Sequence, residues 1–254
     1  MKKACVFTVA SVKGGTGKTS FALNLAGTFA KFNYKTLIID LDLYASAVAL
    51  SLNVDNSKNL FTAIDDMNNN RFSFIDNYIT TYSHNIDVLS APSDPRLASK
   101  IAINYLGVIL RKAKLKYQVI IIDTNHILNE INLLAYDYSD KIIYLINNSP
   151  IDLKNIKTMI SIHKDMEQDN YKIVLNEATS RKKSYFSNYD IKSIIKNNID
   201  YIIPDGFFIK NIDKYILEGK IPTLDKKIIK QHRKSIKIFN EIATDLIDEI
   251  KGED

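Results

Sequence analysis

The chain of 254 residues contains a single cysteine, Cys5, which excludes an intramolecular disulfide, a zinc ribbon and a cysteine-held iron–sulfur cluster within one chain. A lone thiol suits a reducing compartment, and the cytoplasm is the expected location. Also absent is any apolar run near the ~20 residues of a membrane-spanning helix, so integral membrane association is not expected. The apolar start, Ala4 to Ala10, is short and runs into Lys13 and a glycine loop without a cleavage site. It reads as a buried strand rather than a secretory signal. No linker rich in proline, glycine or serine divides the chain, and no repeat is present. His84, His163 and His232 show no metal-ligand spacing.

What is there is ordinary for a globular chain: 46% hydrophobic and 25% charged residues. A chain of this length can bury about 70–75% of the surface its unfolded form exposes, so it needs no covalent staples. The net charge of +5 is uneven. Residues 180–240 hold 14 lysines and arginines against six acids, whereas 241–254 hold one against six. The basic block, beginning with Arg181-Lys182-Lys183, suits a phosphate-rich partner such as DNA. Equally, scattered lysine in a chain full of Lys, Asn and Ile is what AT-rich coding produces and gives a solvated face.

Short apolar runs alternate with helical patterns from one end to the other. Ala4–Ala10, Thr36–Asp40, Ile86–Ser90, Val119–Asp123, Ile142–Ile146, Lys172–Leu175 and Tyr201–Pro204 read as strands. Val119-Ile120-Ile121-Ile122 has no polar alternation, the mark of a strand covered on both faces in a parallel sheet. Helices are expected from about Phe21 to Asn33, over Leu97–Leu115 and Leu153–Met166, and along Ile228–Ile250. In the last, Ile228, His232, Ile236, Phe239, Ala243, Leu246 and Ile250 fall on one stripe. Asn68-Asn69-Asn70 reads as a loop. The expectation is α/β: one doubly wound, mostly parallel sheet with helices on both faces, residues 1–254 forming a single domain.

One segment carries chemistry. Lys13-Gly14-Gly15-Thr16-Gly17-Lys18-Thr19-Ser20 lies between the first strand and the first helix. The common phosphate loop is G-x-x-x-x-G-K-[ST], and Val12 stands where it has its first glycine. The physics survives this change. Glycines let backbone N–H groups close on phosphate oxygens, and a helix N-terminus adds partial positive charge. Lys18 would reach the β- and γ-phosphates, and the Thr19 hydroxyl would hold Mg²⁺. Asp40-Leu41-Asp42 and Asp123 end the second and fourth strands, on the side where such sheets collect carboxylates. An aspartate there can also be a helix cap.

The loop resembles that of the deviant Walker A ATPases, the ParA/MinD superfamily, over nearly the whole chain. That resemblance implies an ATP-dependent homodimer in which Lys13 reaches the partner's nucleotide. From its residue type alone, Lys13 is equally a solvated lysine. The resemblance further implies that Asp40 orients the attacking water close to the metal, that Asp123 holds Mg²⁺ through water, and that Asn176, Pro204 and Asp205 lie beside the base. Turn chemistry accounts for the last three as well. ATP is implied over GTP, and no N-K-x-D motif is suitably placed. Relatives follow the second aspartate with one or two prolines. Here Thr124-Asn125-His126 follow. His126 is then either a catalytic group or a loop contact.

Within the superfamily, Asp40 to Leu52 and Ala91-Pro92-Ser93-Asp94-Pro95 are similar to CpaE/TadZ pilus-assembly ATPases. Chromosome-partition relatives generally carry Pro-Gln where Leu43-Tyr44 stand. The resemblance implies a slowly hydrolysing switch that positions pilus or secretion machinery. CpaE/TadZ proteins commonly have an N-terminal receiver-like domain, and none is expected in this chain. A DNA-partition ATPase is the alternative, with DNA binding otherwise secondary. A MinD-like membrane cycle fits less well, because anionic lipid would repel the acidic end, Asp248 to Asp254.

Overall fold

A computed structural model describes residues 4–179, 185–207, 209 and 212–252. The basic triplet Arg181-Lys182-Lys183 lies outside the described residues. The strands are β1 (Cys5–Ala10), β2 (Thr36–Asp40), β3 (Thr80–Ser83), β4 (Ile86–Leu89), β5 (Val119–Asp123), β6 (Lys141–Ile146), β7 (Tyr171–Asn176) and β8 (Tyr201–Ile203). The helices are α1 (Lys18–Lys31), α2 (Val48–Leu52), α3 (Leu60–Asn68), α4 (Ile103–Lys114), α5 (Glu130–Asp137), α6 (Pro150–Asp165), α7 (Asn188–Ile195), α8 (Ile212–Leu217), α9 (Lys226–Gln231) and α10 (Arg233–Gly252).

The strands form one sheet in the order β3-β4-β2-β5-β1-β6-β7-β8. All neighbours are parallel except β3 and β4. The chain starts in the middle, fills one side with β2, β4 and β5, then crosses β1 to build β6, β7 and β8. The winding therefore reverses at β1, and the crevice at its carboxyl end is where such a sheet binds ligands.

The sheet explains why the strand sequences lack alternation. On β5, Val119 and Ile121 join the core under α1 and α10, whereas Ile120 and Ile122 join the core under α3 and α4. On β6, Ile143 and Leu145 face the first layer, and Ile142, Tyr144 and Ile146 pack with α6 and α7. Alternate side chains leave opposite faces, and both faces are covered, so every position is apolar. Phe7 of β1 stacks on Phe29 of α1 with ring centroids 5.5 Å apart, fixing the helix over the central strand.

Three departures from the sequence pattern have local causes. β3 was not expected: Thr-Thr-Tyr-Ser is polar and at most half-buried, and it pairs antiparallel only because the chain turns back at His84-Asn85. Leu97–Leu115 is not one helix. Asp94 accepts a hydrogen bond from the Arg96 N–H (2.9 Å) and caps a 3₁₀ turn over Pro95–Lys100. Ile101 and Ala102 are then extended before α4 begins. The final helix is likewise broken at His232, whose Nδ1 lies 2.6 Å from the Gly206 carbonyl oxygen. Ile228, Ile236, Phe239, Ala243, Leu246 and Ile250 are buried as the stripe requires. Part of the acidic end also has an internal task. Glu249 reaches Lys172 (2.6 Å) and Lys141 (3.3 Å), tying α10 to the amino ends of β7 and β6. Among the described residues, no helix is long and apolar enough to cross a membrane.

Candidate nucleotide site

The loop between β1 and α1 turns through two residues with positive φ, Gly15 (76°) and Gly17 (88°). An L side chain pays a steric cost there, which is why glycine occupies both places. At Gly17 space is also short: a Cβ would lie 2.8 Å from Asn176 Nδ2. Asn176, at the end of β7, donates to the Thr16 carbonyl (2.9 Å) and accepts from the Ala178 N–H (3.2 Å), so it clamps the loop from outside. Lys18 opens α1 and is buried, its ammonium donating to Ser11 Oγ at 2.9 Å. Ser11 in turn donates to the Lys13 carbonyl at 2.7 Å. Lys13 is half-buried, and Gly14, Gly15 and Ser20 are exposed at the mouth.

The carboxylates expected around the loop do gather there. Asp40 and Asp123 are register partners on adjacent strands, both buried. Thr19 donates its hydroxyl to Asp123 Oδ2 at 2.6 Å. The other oxygen, Oδ1, is buried with no partner among the described residues. Burial, then repulsion from Asp40, pushes the Asp123 carboxyl well above its ordinary range, against the pull of Thr19 and Lys18. Burial also raises Asp40, although three donors hold it back. Conversely, burial lowers the Lys18 ammonium, opposed by Asp123, Asp42 and Asp152.

Asp40 is more engaged than its position at a strand end suggests. Its Oδ1 accepts from the Asp42 N–H (3.0 Å), and its Oδ2 accepts from Ser46 Oγ (2.9 Å) and the Val48 N–H (3.2 Å). It therefore anchors the whole 41–48 loop. The orphaned Asp123 oxygen beside the Thr19 hydroxyl fits a Mg²⁺ ion bound through water. Among the described residues, no three His, Cys, Asp or Glu side chains converge as a metal cage. Mg²⁺ does not need one, because it normally keeps its waters and takes one or two carboxylates plus substrate phosphates.

A cavity of about 310 Å³ opens off Gly15 and Gly17, walled by Phe21, Asn176, Ile203, Phe207, Ile209 and Phe239 among others. An apolar slot of this size beside a phosphate loop can hold a nucleobase. Pro204 and Asp205 fall between two wall residues, Ile203 and Phe207, and do not line the slot themselves. Sequence reasoning did not single out Asp152. This α6 residue is fully buried with Oδ1 unpartnered, and the charges of Lys13 and Lys18 act against its burial-raised pKa. In sequence it is only an acid in the first turn of a helix behind Pro150, a common capping position. Also missed was Asn132, whose Nδ2 donates to Asn125 Oδ1 (2.9 Å) and to the Ile127 carbonyl (2.7 Å).

A glycine-turned phosphate loop at the reversal point of a parallel sheet, with a buried lysine and a threonine–aspartate pair, defines a P-loop nucleotide-binding protein. The family described as AAA domain matches residues 4–176. The chain belongs to that family, and its fold is that of the ParA/MinD-type P-loop ATPases. It is 31% identical over 117 residues to a Staphylococcus aureus protein named as tyrosine-protein kinase CapB, covering 46% of this chain and 50% of that one. The chain thus spans about half the length of that relative. Among solved structures, a ParA family ATPase from Chlorobium tepidum TLS superimposes with a TM-score of 0.78 at 18% identity, over 96% of this chain and 99% of that one. The septum site-determining protein MinD of Pyrococcus horikoshii OT3, complexed with Mg-ADP, gives 0.77 at 22% identity, over 98% of each. At such identities the likeness is one of fold.

Proposed function

We propose that the chain is a cytoplasmic, single-domain Mg-ATP switch. It binds ATP on residues 14–20, dimerises with nucleotide between the copies, hydrolyses it slowly, and in the ATP form positions pilus or secretion machinery. In this reading Lys18 neutralises the β- and γ-phosphates, Thr19 and Asp123 hold the hydrated metal, and Lys13 reaches the partner's nucleotide. Asp40 orients the attacking water once its loop has rearranged around the γ-phosphate, and Asn176, with Pro204 and Asp205 nearby, flanks the base. The observation that carries the reading is the meeting of Lys18, Thr19 and the orphaned Asp123 oxygen at one loop. The Mg-ADP complex of the MinD structure of the same fold supports the choice of ligand.

The pilus assignment rests on the two segments that resemble CpaE/TadZ. They are separated by 38 residues in sequence, yet Leu43, Tyr44, Leu50, Pro92 and Pro95 wall one groove of about 480 Å³ beside the loop that Asp40 anchors. None of the relatives named above carries a pilus-assembly name.

Light scattering with a non-hydrolysable ATP analogue and Mg²⁺ tests the dimer. Wild type is expected to double in mass with the analogue and not with ADP, and Lys13→Ala to bind nucleotide while remaining monomeric. A wild type that stays monomeric refutes the switch. To slow hydrolysis with ATP itself, Asp40→Asn is preferable to alanine, since it keeps an acceptor for the 41–48 loop.

DNA partition is the second reading, favoured by the 14 basic against six acidic residues of 180–240. Non-specific binding would weaken with salt by roughly 0.9 log units per log unit for each phosphate neutralised. Tight, ATP-dependent gel shifts near physiological salt, lost when Arg181, Lys182 and Lys183 become alanine, would establish it over the pilus reading.

A further inference from the structure

The segment after Asp123 departs from the family pattern, and the structure gives that departure a definite shape. Thr124 donates its hydroxyl to the Val9 carbonyl at 2.8 Å, which fastens the segment to β1. Asn125 turns inward and is buried. Its Oδ1 accepts from the Ile127 N–H (2.8 Å) and from Asn132 of α5 (2.9 Å). Asn132 also holds the Ile127 carbonyl at 2.7 Å. Residues 124, 125 and 127 are thereby fixed to the sheet and to a helix. The residue between them, His126, is left at the apex with an exposed side chain.

The apex faces the phosphate loop. A Cβ on Gly14 would stand 3.7 Å from both Cε1 and Nδ1 of the His126 ring, so the imidazole lies against the loop at an exposed glycine. No hydrogen bond from the ring to another described residue is present to occupy its N–H. Lys154 of α6 shares a cavity wall with His126, while within the loop Lys18 feels Asp123, Asp42 and Asp152, and Lys13 feels Asp152.

The position relative to a nucleotide follows from the metal pair. A Mg²⁺ ion held by Thr19 and, through water, by Asp123 would neutralise charge at the β- and γ-phosphates. The helix N-terminus at Gly17-Lys18 takes the β-phosphate. In that arrangement the γ-phosphate would lie on the side away from α1, towards Gly14 and the segment that leaves Asp123. We propose that His126 donates an imidazole N–H to the terminal phosphate of bound ATP and so makes the site discriminate ATP from ADP. The inference rests on the nucleotide reading above and deepens it. It names the group that senses the third phosphate in a chain whose post-Asp123 segment carries Asn-His where relatives carry proline. No bond is made or broken in this contact; a charged acceptor simply replaces water at the ring nitrogen.

Calorimetry with Mg-ADP and with Mg-AMPPNP, at two protein concentrations, tests it in wild type, His126→Ala and His126→Gln. A hydrogen bond to a charged oxygen corresponds to about tenfold or more in affinity. His126→Ala is expected to weaken AMPPNP by about that factor and to leave ADP within about twofold, and His126→Gln, which keeps an N–H donor, to recover most of the loss. Unchanged AMPPNP affinity, or equal losses for both nucleotides, would overturn the assignment. So would a glutamine variant as weak as the alanine one. An effect confined to the higher protein concentration would place the histidine at a subunit contact and overturn it as well. A wild type that binds neither nucleotide would overturn the nucleotide reading itself, an outcome distinct from the selective ones.

Discussion

Replacing Gly17 with alanine adds one methyl group at the tightest point of the phosphate loop, and the structure separates its cost into two parts. The first is backbone. Gly17 sits at φ 88°, ψ 25°, in the left-handed region, where an L residue costs about 1–2 kcal/mol. The second is contact. The methyl would lie 2.8 Å from Asn176 Nδ2 and 3.3 Å from Thr179 Cγ2. Asn176 has to move, and its 2.9 Å hydrogen bond to the Thr16 carbonyl is lost. A bond of that kind contributes about 0.5–1.5 kcal/mol net. The expected destabilisation is therefore about 2–3 kcal/mol, read as a lower denaturant midpoint at unchanged slope. The double variant with Asn176→Ala isolates the contact. With the clashing partner already gone, the two losses should fall short of additivity by about 1 kcal/mol. A Gly17→Ala protein within about 0.5 kcal/mol of wild type, well below the strain for this conformation, would refute the loop geometry. Strict additivity would refute the clamp by Asn176.

Lys18→Ala removes the one lysine buried in the loop, and ATP affinity should fall by about tenfold or more, the weight of a charge-assisted contact; undiminished binding in calorimetry would refute its role. Asn132→Ala leaves Asn125 and the Ile127 carbonyl without their shared donor, which should cost about 1–3 kcal/mol in chemical denaturation. Glu249→Gln unties α10 from Lys141 and Lys172, with an expected loss below about 1 kcal/mol because the pair is partly solvated. Although burial opposes it, the two lysines hold the Glu249 carboxyl below its ordinary value. Its contribution is accordingly full above the unfolded pKa of about 4.3 and disappears as pH falls through the lower folded value. The wild-type and Glu249→Gln stability curves should therefore converge in acid, and curves that stay parallel down to the acid limb would refute the tie.

Much of this protein was legible in its sequence. Seven of the eight strands among the described residues, the doubly wound class and the phosphate loop each declare themselves over a few consecutive residues. A strand covered on both faces must be apolar at every position, as Val119 to Ile122 are, and a loop that wraps phosphate needs glycines, a lysine and a threonine at fixed spacing. The carboxylates at strand ends followed from the same logic, because parallel strands bring Asp40 and Asp123 to one edge whatever lies between them. Tertiary structure decided the rest, and always through contacts between distant segments. β3 is a strand only because β4 offers an edge. Asp152 is an unremarkable first-turn acid until α6 carries it beside Lys13 and Lys18. The helix break at His232 needs the Gly206 carbonyl, 26 residues away. His126 looked like any loop histidine until Asn125 and Asn132 folded the segment so that its ring met Gly14. Residue type and spacing encode what a side chain can do with its neighbours in sequence, whereas burial, charge pairing and orientation depend on which remote atoms the fold brings within a few ångströms.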